Sequence, residues 1–190
     1  DRPDLVIFVN GMPLAVIECK SPIARETGVG DAMDQLNRYQ REIPALFRTN
    51  QLLIGVNLFG AKYGVIGSSV ENFHEWKEKP GEKLPDLSDH PSVKEMLALK
   101  LIKKDDLPRM PAAQDVLFAA LFNKRNLLDI IRNFTVFDVV EGKVKKKICR
   151  YQQFTAVHKI VHRVLEEKEK KGIIWHWQGS GKSLTMLFAA

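Results

Sequence analysis

Two short apolar runs, residues 5–9 and 13–19, flank Asn10-Gly11 near the start of the chain. Both turn residues accept the positive φ angles of a two-residue hairpin, so strand, turn and strand are predicted here. From residue 31 to 42 the period changes: Met33, Leu36, Tyr39 and Ile43 recur at roughly helical spacing, and Pro44 closes the pattern. Residues 51–57 and 62–66 are again short apolar runs, bounded by Asn, Gly and Ser, which predicts a further pair of strands. The expectation is a mixed sheet with the helix on one face.

Residues 79–91 carry three prolines, a glycine and several charges, so they bury little and are read as a loop or boundary. Beyond it, 92–100, 112–122 and 126–133 have helical patterns. Residues 134–140 and 144–149 read as a second hairpin turning at Glu141-Gly142. A long amphipathic helix follows, with Phe154, Val157, Ile160, Val161, Val164 and Leu165 as its apolar face and 166–171 as its solvated end. Residues 172–176 are predicted as a short apolar strand leading to a glycine-rich loop. The chain thus divides into 1–90, a connecting segment 91–149, and 150–190. Neither an internal repeat nor a low-complexity tract is present.

Composition narrows the classes. The chain has 190 residues, 45% of them apolar and 27% charged, enough to bury a core while keeping a polar surface. Wholesale disorder is excluded. No apolar run approaches the ~18 residues of a membrane span, and the first residues lack the basic flank and cleavage site of a signal peptide. A soluble intracellular protein is expected. Two cysteines, Cys19 and Cys149, are too few for a disulfide framework or a cysteine-based zinc site, so any metal would be held by oxygens. The balance of 29 Lys plus Arg against 23 Asp plus Glu gives +6, a mild excess that fits solubility as well as an acidic partner. The start at Asp1 and the end at Ala190, inside an apolar run, read as a piece of something larger.

The first candidate chemistry lies in the opening hairpin. Asp4 opens its first strand, and Glu18 and Lys20, two residues apart, share a face of the second while Cys19 takes the other. Two carboxylates brought together repel unless a divalent cation lies between them, and a neighbouring lysine can hold or activate water. That set suits metal-assisted hydrolysis of a phosphodiester. The same spacing also describes a charged strand end in an exposed hairpin. Gln35 and Tyr39 are four apart on the following helix and face the hairpin's end, although such a pair is also ordinary helix packing.

The second candidate is Gln178-Gly179-Ser180-Gly181-Lys182-Ser183, followed by an apolar helical segment. Backbone N–H groups and a helix N-terminus can receive phosphate oxygens there, Lys182 can reach the β and γ phosphates, and Ser183 can hold Mg²⁺. A flexible Gly-Ser turn with an incidental lysine is the plain alternative. Gln152 and Gln153 lie some twenty-five residues upstream, and a glutamine amide matches both the donor and the acceptor on adenine's edge. The lysines within 100–104 and 143–147 could follow a nucleic-acid backbone, or be plain solvated surface.

The segment RPDLVIFVNGMPLAVIECK, with Asp4, Glu18 and Lys20 set among apolar strand residues, resembles the PD-(D/E)xK nuclease superfamily. Together with QLNRY, RNLLDIIRNFTVFD, RYQQ and WHWQGSGKSLTM, taken in order along nearly the full chain, it resembles the restriction (R) subunits of type I restriction-modification enzymes. The resemblance implies an α/β fold: a restriction-endonuclease-like mixed sheet flanked by helices, a helical connector, and the first β-loop-α unit of a RecA-like lobe. It implies Mg²⁺ on Asp4 and Glu18, a catalytic Lys20, and a supporting Gln35 and Tyr39. Adenine would be read by Gln152 or Gln153, and the phosphates of ATP held by Gly179, Ser180, Gly181, Lys182 and Ser183. The implied partners are double-stranded DNA and the methylation and specificity subunits, in a prokaryotic cytoplasm. Later helicase motifs are absent from these 190 residues, so no ATP hydrolysis by the chain alone is expected. Two other readings remain: a DNA-binding motor module with a degenerate nuclease centre, and a solitary repair nuclease, which the glycine loop disfavours.

Overall fold

The computed structural model describes residues 2–21, 28–57, 60–77, 91–106, 112–166 and 171–190. Strands β1 (Leu5–Val9) and β2 (Met12–Cys19) form the opening hairpin, with Asn10 at φ 51° and Gly11 at φ 78°, the left-handed pair that such a turn requires. Helix α1 (Val29–Glu42) then crosses over to β3 (Leu52–Val56), which returns through β4 (Ala61–Gly64). The sheet order is β1-β2-β3-β4; β2 and β3 run parallel and the two outer pairs antiparallel, so the sheet is mixed as expected.

Strand alternation sends side chains to two different cores. Val16 of β2 and Leu53 of β3 pack under Met33, Leu36 and Tyr39 of α1, with Phe47 and Phe73 closing that layer. Ala15, Ile17, Leu52, Ile54 and Tyr63 face the other way. They meet Val116, Leu117, Ala120 and Leu121 of α3 (Ala113–Leu121) and Ile130 of α4 (Lys124–Asn133). Helix α1 thus lies on one face, as expected, and α3 and α4 cover the other. Because both faces of β3 are covered, its five residues are all buried, and an uninterrupted apolar run is what such a strand needs.

Helix α2 (Pro91–Ala98) precedes α3. The second hairpin, β5 (Thr135–Val140) with β6 (Lys143–Ile148), turns at Glu141 (φ 53°) and Gly142 (φ 74°). Helix α5 (Tyr151–Glu166) seats Phe154 and Val157 against the second core, and Phe188 of α6 (Lys182–Ala189) packs at a tilt against Phe134 there. One apolar cluster thus draws residues from all three stretches of the sequence.

Two expectations are corrected. Residues 172–176 form no strand: Ile173 and Trp175 are almost fully exposed, and among the described residues no strand pairs with this segment. Apolar β-prone residues make a strand only where an open backbone edge receives them. The apolar stripe of α5 is likewise buried only in its first half, since Val161, Val164 and Leu165 are exposed. The boundary read at 79–91 lies almost wholly outside the described residues, as does most of 166–171. No helix among the described residues is long and apolar enough to cross a membrane.

Candidate functional site

Glu18 shares the α1-facing side of β2 with Val16 and is buried, an expensive place for a carboxylate without partners. Lys20 Nζ donates to its Oε1 at 3.0 Å. Its other oxygen, Oε2, is buried with no hydrogen-bond partner. Asp4, exposed at the mouth of β1, accepts from the backbone N–H of Cys19 through Oδ2 at 2.8 Å, which ties it to the end of β2. The Cys19 thiol registers the local field: burial pushes it up first, then the Asp4 and Glu18 carboxylates, while Lys20 pulls it down.

Helix α1 supplies the rest. Lys20 also donates to Gln35 Oε1, Gln35 Nε2 donates to Tyr39 Oη, and Tyr39 donates to the Arg2 carbonyl at 3.0 Å. The four-residue spacing of Gln35 and Tyr39 makes this relay continuous along one helix face. It begins at the ammonium and ends two residues before Asp4. Helix α1 comes this close because Gly55 stands beside Glu18 in the β2–β3 register, where a Cβ would lie 3.1 Å from that of Ala32. Gly55 was not singled out in the sequence, although an isolated glycine in an apolar strand is the usual sign of a close backbone approach.

The donor set fits a hard divalent cation. A buried carboxylate oxygen without a partner and a second carboxylate fixed nearby are oxygen donors of the kind that Mg²⁺ or Mn²⁺ takes. A nearby cation would satisfy Glu18 Oε2.

The glycine loop forms a second group. Gly179 and Gly181 adopt φ of 77° and 81°, and Gly181 caps α6. The buried hydroxyl of Ser180 has no partner, and Lys182 Nζ rests on the Trp177 carbonyl at 3.1 Å. Gln153 is buried and fully engaged: Oε1 accepts from Arg150 N at 2.7 Å and Nε2 donates to the Gly181 carbonyl at 2.9 Å. Arg150 Nη1 reaches the Gly179 carbonyl at 3.3 Å. Gln153 thus braces the loop in this state, while Gln152 lines an adjoining cleft of about 930 Å³ with Tyr151, Trp177 and Ser180. Ser183 is exposed on the first turn of α6. The orphaned Ser180 hydroxyl and the two positive-φ glycines fit a phosphate-bearing ligand.

The structure therefore gathers Asp4, Glu18, Lys20, Gln35 and Tyr39 at one place, and Gln152, Gln153 and Gly179 to Ser183 at another. Sheet, carboxylates and relay define a mixed α/β arrangement with a polar site at one place and a glycine-rich loop at another, and comparison with known proteins gives the particular family. Residues 1–66 match the family described as type I restriction enzyme R protein N terminus, and 152–190 match the SWI2/SNF2 ATPase family. A Methanocaldococcus jannaschii protein provisionally named as a type I restriction enzyme MjaIXP endonuclease subunit is 33% identical over 100% of this chain and 18% of its own length. The Haemophilus influenzae type I restriction enzyme HindI endonuclease subunit is 33% identical over 99% of this chain and 16% of its own length. The chain belongs to the type I restriction enzyme R subunit family and corresponds to an N-terminal region of it. It spans less than a fifth of the length of these relatives.

Proposed function

We propose that this region is the Mg²⁺-dependent DNA-cleaving part of a type I restriction R subunit, joined to the opening of its ATP-driven motor. The buried, unpartnered Oε2 of Glu18, beside a lysine held by the Gln35–Tyr39 relay, is the observation that carries the reading. Asp4 and Glu18 would hold the cation, which would supply charge neutralisation at the scissile phosphate and acidify a bound water. Lys20 sits where an ammonium can steady the attacking water or the developing negative charge. Gln35 accepts from Lys20 and so fixes its direction, and Tyr39 fixes Gln35. Without that relay a lysine would sample many rotamers, and the ammonium would be lost as a positioned group.

At the loop, Gly179 to Ser183 would receive ATP phosphates, with Lys182 leaving the Trp177 carbonyl to meet them and Ser183 at the Mg²⁺ side. Gln152, facing the cleft, would read adenine. Gln153 could do so only by giving up its bonds to the loop. In the complete subunit, assembled with methylation and specificity subunits, these parts would couple duplex cleavage to translocation.

The test is made in the assembled enzyme. Glu18→Ala and Lys20→Ala should lower duplex cleavage at least a hundredfold, while ATP hydrolysis and translocation persist. Lys182→Ala should stop both. Cleavage by the Glu18→Ala enzyme at the wild-type rate would refute the assignment.

A further inference from the structure

Beside the phosphate loop lies a cavity of about 240 Å³ between β6, the segment after β4, and the start of α6, which Gln153 and Gly181 border and which shares no lining residue with the cleft that Gln152 lines. Lys145, Lys146, Lys147 and Arg150 line it with His74 and Ser68, and no carboxylate is among its lining residues. Such cations repel one another unless something negative comes between them. Part of that charge is answered locally: Lys147 pairs with Asp138, and Lys146 donates to Gln51 Oε1 at 2.6 Å and to the Asn50 carbonyl at 3.4 Å. Among the described residues the Arg150 side chain donates to the Gly179 carbonyl alone, so most of its five N–H donors are open to a ligand.

Of the cations lining the cavity, Arg150 acts on the His74 ring. Burial first, then Arg150 and Lys62, push its imidazole down to about 4, so the ring is neutral at pH 7 and can donate or accept there. The ring stands edge-on to Tyr63, and His74 pairs with that residue through the backbone. These groups belong neither to the carboxylate site nor to the adenine cleft.

We propose that this cavity binds a phosphate group, held by Arg150 and Lys145 with His74 and Ser68 as neutral partners. Concentrated positive charge, a guanidinium suited to forked contact and a volume of a few water molecules favour a compact, multiply charged oxyanion. The group could come from a DNA backbone or from a free phosphate or nucleotide, and the same contacts would serve each. The site stands on its own geometry and does not require that the chain cleave DNA.

The experiment follows the His74 ring signals of the full chain by NMR at pH 7, assigned through His74→Gln, during titration with inorganic phosphate and, separately, a short duplex. Three proteins are compared: wild type, Lys145→Gln and Lys143→Gln. Lys143 lies on the same strand face as Lys145 but outside the cavity, so it reports general attraction to the basic hairpin. The expected result is a saturable His74 shift, weakened about fivefold or more by Lys145→Gln and less than twofold by Lys143→Gln. A shift with phosphate and duplex alike assigns a general phosphate site; a shift with duplex alone assigns a backbone phosphate. Absence of any His74 shift with either ligand overturns the proposal, and so does equal weakening by the two lysine variants.

Discussion

Gly181 illustrates how much one hydrogen atom in place of a methyl group decides. Its φ is 81°, and a Cβ there would lie 2.4 Å from Gln153 Nε2, whereas the space around Gly179, at φ 77°, is open. Both positions penalise a side chain through the backbone, by about 1 kcal/mol each, but only Gly181 also collides with the brace. Gly181→Ala should therefore destabilise the chain more than Gly179→Ala in urea unfolding, by about 1–2 kcal/mol. Gln153→Ala is itself destabilising, since it removes both bonds of the brace, but in that background the further cost of Gly181→Ala should fall towards that of Gly179→Ala, because the atom that is struck is gone. Equal losses for the two glycine variants would contradict this. The sequence showed the glycines and both glutamines, but not that Gln153 is committed to the loop. That commitment depends on the turn at Arg150 and on α5 passing beneath α6, which no local spacing encodes.

At the scale of elements, the two hairpins and α1 were legible because each carries its own geometric requirement. Asn10-Gly11 and Glu141-Gly142 adopt left-handed pairs, and Met33, Leu36 and Tyr39 fall on one buried face. Segment 172–176 and the second half of α5 were not legible, because their apolar residues record a need for partners without specifying that those partners lie among the described residues. The carboxylate site was legible as a list, while its relay depended on how near α1 comes to β3. Gly55 sets that distance, with Ala32 Cβ and Met33 Cγ 3.1 and 3.4 Å from where a Cβ would stand. Gly55→Val should force α1 outward, cost about 1–3 kcal/mol in urea unfolding, and stretch the Lys20–Gln35 contact. Unchanged stability would mean that the helix is not held against the strand as described.

Across the whole molecule, the sheet and the loop-bearing helices share one core, and polar links cross it. Tyr63 of β4 donates to the Cys149 carbonyl at 2.8 Å, both groups being buried, just before Arg150 begins the contacts to the loop. His74 lies in this junction, faced by Tyr63, Arg150, Lys62 and the lysines of β6. Its pKa falls from 6.5 to about 4 in the fold, so between those values the unfolded chain binds more protons than the folded one. Stability from this group is complete above pH 6.5 and is lost as pH falls towards 4. In urea unfolding, wild type should lose stability from pH 7 to 4.5 more steeply than His74→Gln; parallel curves would show that His74 is not held neutral.

The central claim is that Asp4 and Glu18 are a cation site, and calorimetric titration of the chain with Mn²⁺ tests it most directly. Wild type should bind one ion, and Asp4→Asn and Glu18→Gln should each weaken binding at least tenfold without changing the unfolding transition by more than about 1 kcal/mol. If wild type binds no ion, or if both variants bind as wild type does, the cation site is not where the carboxylates place it.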